Sequence, residues 1–251
     1  MENRSNVVTP SPKNPIKALA SLPRGVPLDT ETLRTLGVSS SLASYYVRSQ
    51  WLTRLGRGVF AFPGDTLAPA AAVKFLARQS RGLHVGGKTA LAWRGVRHNV
   101  GPREPLVLWG EKVTALPPWF TERFPARYVS WRLFSPSLPK DFGVQPLPET
   151  PDGPAVSVPE RALLELLDEV GVGQGLEEAR NVVESVRSVR LDVLGKLLEH
   201  CPRVKTVRLC LNLADELNLN WAGDARKIAG PRGRGRWFGK LPDGTTLILK
   251  P

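Results

Sequence analysis

The stretch Val38–Asp65, "VSSSLASYYVRSQWLTRLGRGVFAFPGD", contains the pattern that decides the fold of the first part of the chain. Its opening serines suit the N-terminus of a helix, and helical spacing continues to Leu52. Four apolar residues share one face of that helix, namely Leu42, Ala43, Tyr46 and Val47. This face predicts packing against other helices of the same domain.

The opposite face of the predicted helix carries hydroxyl groups and one arginine, at positions Ser41, Ser44, Tyr45 and Arg48. Such groups suit phosphates and base edges. No acidic residue, which would repel phosphate, occurs between Val38 and Pro63. We therefore predict a DNA-recognition helix, and a helix-turn-helix kept only for protein contacts is the alternative.

Two short strands are predicted next, at Leu52–Leu55 and Val59–Phe62, around the turn Gly56-Arg57-Gly58. A hairpin directly after a recognition helix is a wing, and its Arg57 would reach a phosphate or the minor groove. Further arginines are expected at or near the DNA backbone, namely Arg54, Arg24 and Arg34.

Two more helices are predicted before this stretch. Ile16–Pro23 is a short amphipathic segment, and Leu28–Gly37 has apolar Leu33 and Leu36 before a glycine suited to end a helix. Three short helices with a tight turn before the third have helix-turn-helix spacing. Residues 1–65 are thus predicted to form a winged helix-turn-helix DNA-binding domain.

The segment from Leu33 to Asp65 resembles the N-terminal winged helix of the AbiEi family, through Trp51-Leu52 and the wing Gly56-Arg57-Gly58-Val59-Phe60. The family's wing has tyrosine where this chain has Phe60. Three later stretches resemble the family in the same order, so the likeness runs over about residues 25–251: "HVGGKTALAWRGVRHNV" (His84–Val100), "SVPERALLELL" (Ser157–Leu167) and "CPRVKTVRLCLNLADELNLNWA" (Cys201–Ala222).

AbiEi proteins are antitoxins and autorepressors of type IV abortive-infection toxin–antitoxin systems. The resemblance implies an α+β protein that binds inverted repeats in its own promoter and counteracts an AbiEii-type nucleotidyltransferase toxin, with direct toxin contact left open. Residues 66–251 would be the C-terminal antitoxin domain, a mixed α/β region with a helical section and a terminal β-hairpin. The alternative is a stand-alone winged-helix transcriptional regulator whose C-terminal domain binds a partner.

Charge is unevenly distributed along the 251 residues, whose net charge is +12 and whose isoelectric point is about 10.2. The net charge is +4 over residues 1–65, +9 over 66–140, −7 over 141–225 and +6 over 226–251. A basic front half and tail around an acidic block favour a polyanionic partner, with nucleic acid as the leading class. The alternative is a solubilising surface charge.

The segment "GLHVGGKTAL" (Gly82–Leu91) matches the G-x-x-x-x-G-K-[ST] pattern of a phosphate-binding P-loop. Its apolar strand is only Leu83–Val85 and overlaps the loop, and no second strand ends in an aspartate suited to magnesium. We therefore interpret the glycines as structural, marking the start of the second domain. A P-loop enzyme remains the third hypothesis.

Beyond this segment, the pattern predicts strands at Pro105–Trp109, Lys112–Leu116 and Ala126–Phe134, with a turn at 117–125 and a loop over 135–154. Three arginines in this part are expected to be exposed, namely Arg123, Arg127 and Arg132.

A helical section is predicted to begin at Val156–Gly171, with Ser157 and Glu160 at capping-box spacing. Three amphipathic helices follow, with the acidic residues on their exposed faces: Gly175–Val186, Leu191–Cys201 and Val204–Leu219. The acids form either a solvated face or a surface for a partner.

The tail Gly230–Pro251 predicts a hairpin around a Pro242–Gly244 turn, with the basic entry Arg232–Arg236. That entry is either a solvated loop or a second contact to nucleic acid or toxin.

Nothing in the sequence predicts an enzyme. We find no catalytic set, no cofactor motif and no metal pattern; His84 and His98 are too far apart, and lack the carboxylate or cysteine neighbours, for a metal site. No apolar run reaches the roughly 18 residues that span a membrane, and no secretion signal is evident. Cys201 and Cys210 are expected to be free thiols, and the protein is expected in the cytoplasm, associated with the nucleoid through DNA.

Overall fold

The computed structural model describes residues 15–96, 104–111 and 115–251. Its internal contacts divide the chain into two compact units. The first contains residues up to Phe75 together with Pro117–Phe120, and the second contains Leu76–Leu116 and Thr121–Pro251. The sequence-based domain boundary between residues 65 and 66 stays a prediction.

The first unit is a winged helix-turn-helix, as predicted. Its elements are α1 (Pro15–Ala20), β1 (Leu28–Asp29), α2 (Thr30–Thr35), α3 (Ser40–Arg48), β2 (Thr53–Gly56), β3 (Val59–Ala61), most of α4 (Pro69–Ala77) and most of α6 (Pro118–Thr121). The three strands form a sheet in the order β1-β3-β2, with both pairs antiparallel.

Strand β1 was predicted as the start of a helix, and that prediction is wrong. Leu28 pairs with Phe60 of the wing and is buried in the core. The Asp29 carboxylate accepts a hydrogen bond from the Thr32 amide (2.7 Å), so it caps α2 and the helix begins one residue later. Cross-strand pairing thus outweighs the local helical preference of these two residues.

A hydrophobic core joins α1, α2 and α3 to the sheet of the first unit. It contains Leu19, Leu28, Leu33, Val38, Ala43, Tyr46, Leu52, Phe60 and Phe62. Because α3 and the wing strand β3 both bury residues in this core, they are held on one framework.

The second unit is built on a mixed five-stranded sheet in the order β6-β5-β4-β8-β7. The strands are β4 (His84–Val85), β5 (Leu106–Trp109), β6 (Ala126–Val129), β7 (Val144–Gln145) and β8 (Val156–Ser157), and helix α5 (Gly87–Trp93) follows β4. The β5/β6 and β4/β8 pairs are parallel, whereas β4/β5 and β7/β8 are antiparallel. The strands within the predicted segments Pro105–Trp109 and Ala126–Phe134 are therefore present and pair with each other.

Several predictions for this sheet differ from the structure. The strand expected over Ala126–Phe134 ends at Val129, because its neighbour β5 ends at Trp109 and offers no further partner. The region 117–125 contains the short helix α6, and the loop 135–154 contains β7. Within the strand predicted at Lys112–Leu116, residues 112–114 lie outside the described residues, as does His98, and the described residues 115–116 form no strand.

The helical section and terminal hairpin are present as predicted. The helices are α7 (Pro159–Asp168), α8 (Leu176–Ser185), α9 (Leu191–Glu199), α10 (Val204–Glu216) and α11 (Ala222–Ala229), and the hairpin strands are β9 (Trp237–Lys240) and β10 (Thr246–Leu249). Helix α11 was not singled out in the sequence. Cys201 and Cys210 are free, as expected, and buried.

The capping box predicted for α7 does not form. Ser157 lies in β8 and donates its hydroxyl to Glu165 (2.8 Å), while Glu160 accepts from the backbone and guanidinium of Arg190 (2.7 and 2.9 Å). The N-cap position is taken by Val158, without a side-chain bond. The two side chains therefore serve tertiary contacts, which sequence spacing alone does not reveal.

The acidic side chains of α8, α9 and α10 are exposed as expected, except for the half-buried Glu178, whereas those of α7 and its C-terminal end are buried. Four acidic side chains of α7 and its C-terminal end are at most 4 % exposed, namely Glu160, Glu165, Asp168 and Glu169. Arg127, expected to be exposed, is half-buried and pairs with Glu169 (2.8 Å). The ion pairs of these buried carboxylates join elements of the second unit.

Candidate nucleic-acid interface

Helix α3 is positioned by its cap and by its apolar face. The Ser39 hydroxyl accepts from the Leu42 amide (3.2 Å) and fixes the start of the helix. Ala43 and Tyr46 are buried in the core, and Leu42 and Val47 are packed against it. The predicted inner face is thus confirmed, and the opposite face is turned away from the core.

The predicted contact residues of α3 differ in how available they are. Tyr45 is 54 % exposed, and Arg48 and Ser41 are exposed. Ser44 is half-buried, and its hydroxyl donates to the Ser40 carbonyl (2.9 Å). The Ser44 oxygen can still accept a hydrogen bond, but its hydroxyl hydrogen is already donated. Ser44 can therefore make fewer contacts to DNA than the sequence predicted.

The wing forms as predicted, with Arg57 exposed in the turn between β2 and β3. Gly58 adopts φ +71°, a left-handed conformation that favours glycine. At Gly56 an added Cβ would come within 3.1 Å of the Trp119 ring, so the glycine permits a close approach. The local geometry therefore explains why glycine occurs at both positions of the turn.

The arginines of this unit fall into two groups. Arg48 and Arg57 make no ion pair or hydrogen bond to any residue that the structure describes, and Arg54 only stacks on Phe60, its guanidinium carbon 5.6 Å from the ring centroid. Arg24, by contrast, pairs with Asp65 (3.2 Å) and lies over Phe62. Its charge is partly neutralised, which weakens the expectation of a phosphate contact.

Trp51 and a groove between α2 and α3 were not predicted as contacts, whereas Arg34 was expected at or near the DNA backbone. Trp51, just after α3, is 50 % exposed. In the sequence, this residue served only to support the family resemblance. A groove between α2 and α3 is lined by Arg34 together with Glu31 and Ser40. Arg34 and Glu31 thus line the same groove, three positions apart on α2.

The P-loop-like segment is used for packing within the second unit. The Gly87 amide donates to Glu165 (3.1 Å), Lys88 pairs with Glu178 (3.0 Å) and Glu104 (3.3 Å), and the Thr89 hydroxyl accepts from the Val107 amide (2.8 Å). The groups that would bind phosphate or magnesium are thus occupied by the protein. The structural interpretation of the glycines agrees with this geometry.

Glu165 joins two of the stretches on which the family resemblance rests. Its carboxylate accepts from the Gly87 amide, the Ser157 hydroxyl, the Arg161 guanidinium (2.8 Å) and the His84 ring (3.1 Å). Burial alone would raise the pKa of Glu165, but His84 and Arg161 outweigh it and lower the pKa to about 2. The carboxylate is therefore ionised.

No cluster of three or more metal-ligating side chains occurs among residues 15–96, 104–111 and 115–251. In the same part of the chain, no helix has the length and apolar character needed to cross a membrane. Burial raises the pKa of the Cys201 thiol to about 11 and that of Cys210 to about 12. Both thiols are therefore protonated at neutral pH and poor nucleophiles.

The chain combines a winged helix-turn-helix with a larger α/β unit, and comparison with known families assigns it to one of them. Residues 13–101 match a family described as "Transcriptional regulator, AbiEi antitoxin N-terminal domain". Residues 103–238 match "Transcriptional regulator, AbiEi antitoxin, Type IV TA system". The chain belongs to the AbiEi antitoxin family, transcriptional regulators of type IV toxin–antitoxin systems, a family of regulators rather than enzymes.

Among solved structures, the fold is similar to the crystal structure of the RV2827C protein from Mycobacterium tuberculosis. The TM-score is 0.60 at 17 % sequence identity, over 88 % of this chain and 80 % of that one. At this identity the similarity concerns the fold alone. No curated protein sequence matches the chain.

Proposed function

We propose that the protein is a DNA-binding antitoxin that represses its own operon and counteracts a nucleotidyltransferase-like toxin. The observation that carries the DNA-binding part is the pair Arg48 and Arg57, both exposed and without an ionic partner in the described part of the chain. They lie on α3 and on the wing, which share one core.

In the proposed complex, α3 enters the major groove of inverted repeats in the promoter. Ser41, Tyr45 and Arg48 meet base edges and phosphates, with Ser44 as an acceptor. Arg57 of the wing reaches the minor groove or a phosphate, and Arg54 lies at the backbone. The protein would act in the cytoplasm, at the nucleoid.

Repression is tested with a reporter gene fused to the operon's own promoter. The native chain is expected to lower reporter expression, whereas the variant Arg48→Ala/Arg57→Ala restores it because the groove contacts are lost. Immunoblotting must show equal amounts of both proteins. Equal repression by the two proteins would contradict the assignment of α3 and the wing.

Neutralisation is tested by expressing the neighbouring toxin gene from an unrelated promoter. We expect the full chain to restore growth, and the variant Arg48→Ala/Arg57→Ala to restore it equally, because neutralisation is assigned to the second unit. Failure of the native chain to restore growth would contradict the proposal that the protein is an antitoxin. In that case the alternative, a stand-alone regulator with a partner-binding second unit, would be favoured.

A further inference from the structure

The second unit contains a cleft of about 140 Å³ that the functions proposed above do not use. It lies where β4 begins and the antiparallel strand β5 ends, beside the segment 130–140 that follows β6. Its lining includes His84, Trp131, Arg132, Phe134, Lys140 and Arg161.

Arg161 is the buried cation of this cleft, at 8 % exposure. Its Nε donates to Glu165 (2.8 Å), and its Nη1 donates to the carbonyls of Lys140 (2.9 Å) and Phe142 (2.7 Å). Its Nη2 makes no hydrogen bond to any described residue and is not among the fully enclosed polar atoms. A guanidinium fixed on two nitrogens thus leaves the third open to a ligand.

His84 contacts the same carboxylate as Arg161. Its Nδ1 lies 2.8 Å from the Gly82 carbonyl oxygen, and its Nε2 lies 3.1 Å from the Glu165 carboxylate. Glu165 therefore holds both side chains in place beside the cleft.

The rim adds a further unpaired cation. Arg132 is exposed and makes no hydrogen bond or ion pair within the described ranges, and its charge acts on the Glu111 carboxylate only through space. Lys140 is already paired with Glu111. Arg132 and the open nitrogen of Arg161 are thus the two donors available to an anion at this cleft.

The walls of the cleft are aromatic. The Trp131 ring is held by a hydrogen bond from its Nε1 to Asp168 (2.6 Å) and by an edge contact with Trp109, with ring centroids 5.9 Å apart. Phe134 lies under the Arg161 guanidinium, 5.2 Å from its ring centroid. These fixed surfaces suit a flat apolar group.

We propose that this cleft binds a small organic anion that has a carboxylate or phosphate attached to an aromatic ring. Arg161 and Arg132 receive the anionic group, and Trp131 and Phe134 pack against the ring. The volume suits the aromatic ring of such a ligand, because an apolar cavity of about 150 Å³ holds one benzene ring. The cleft lies wholly within the second unit, so its occupancy does not require DNA contact.

The experiment is calorimetric titration of the full chain with phenyl phosphate and with benzoate, which distinguish the two anion types. Saturable binding of at least one probe is expected, with phenol and inorganic phosphate each at least about tenfold weaker because one half of the recognition is missing. No saturable binding by either probe, or binding of phenol equal to that of both anions, would overturn the proposal.

Two substitutions test whether Arg132 contributes to binding of the probe. Because Arg132 is exposed, Arg132→Gln leaves the buried network intact. It is expected to lower the binding affinity for the probe about tenfold. Arg187→Gln, an exposed arginine outside the cleft, is the matched control and is expected to change nothing. Unchanged binding in Arg132→Gln, or an equal loss in both variants, would contradict the assigned site.

Discussion

In the first unit Arg48 and Arg57 are exposed and make no ion pair within the described residues, whereas in the second unit Glu160 and Glu165 are buried and each binds an arginine. Exposed unpaired cations contribute little to folding and remain available to a polyanion. Buried carboxylates with several donors fix the arrangement of the elements that they join. Charged side chains thus stabilise the architecture of the second unit, and under the proposed function they recognise DNA in the first.

The largest effect is expected from breaking the buried network. Glu165→Gln leaves the buried Arg161 guanidinium without its counter-charge and should lower the free energy of unfolding of the second unit by about 3–5 kcal/mol. Urea denaturation followed by circular dichroism measures this. Glu178→Gln, at a half-exposed pair with Lys88, is the control and should cost less than about 1 kcal/mol. Similar losses in the two variants would remove the architectural role of Glu165.

The next effect concerns recognition by α3. Arg48→Ala should weaken binding to a promoter duplex by about 1–3 kcal/mol and reduce discrimination against mutated repeats, because a base-edge contact is lost. Fluorescence anisotropy with native and mutated duplexes measures both quantities. If affinity falls equally for all duplexes, Arg48 contacts phosphate and not a base.

A smaller effect is expected at the wing. Arg57→Ala should weaken binding by about 1 kcal/mol and make the slope of log affinity against log salt less negative by about 1, because one phosphate contact is removed. Titrations at four salt concentrations give the slope. An unchanged slope together with altered sequence preference would assign Arg57 to base readout instead.

The smallest effect is expected at the P-loop-like segment. Lys88→Ala removes two partly exposed ion pairs, with Glu178 and Glu104, and should cost about 1 kcal/mol or less. Calorimetric titration with magnesium and ATP should show no binding by either protein, because Lys88 is engaged with carboxylates. ATP binding that is lost in the variant would restore the enzyme hypothesis.

The sequence predicted the first unit well because its signals are local. Helical spacing in Val38–Leu52 and the glycine turn at Gly56–Gly58 each define an element without reference to distant residues. Strand β1 was missed because Leu28 is extended only through pairing with Phe60, which is 32 positions away. Local pattern carries no information on such pairing.

The second unit was predicted less completely, since its polar contacts join distant positions. Ser157 and Glu160 have the spacing of a capping box, yet their partners are Glu165 and Arg190. The order of the strands and the burial of Arg161 likewise depend on the assembled sheet. The cleft beside Arg161 could not be foreseen, because its walls come from segments far apart in sequence.

The most direct test of the contrast between the units removes two positive charges from each. The variant Arg48→Ala/Arg57→Ala and the variant Arg187→Ala/Lys196→Ala lose the same charge, and binding to a promoter duplex is measured by gel shift at one moderate salt concentration. We expect a loss of more than about 100-fold in the first variant and of less than about threefold in the second, with both melting close to the native protein. Equal losses of affinity in the two variants would contradict the account, because they would reduce the DNA contact to overall charge.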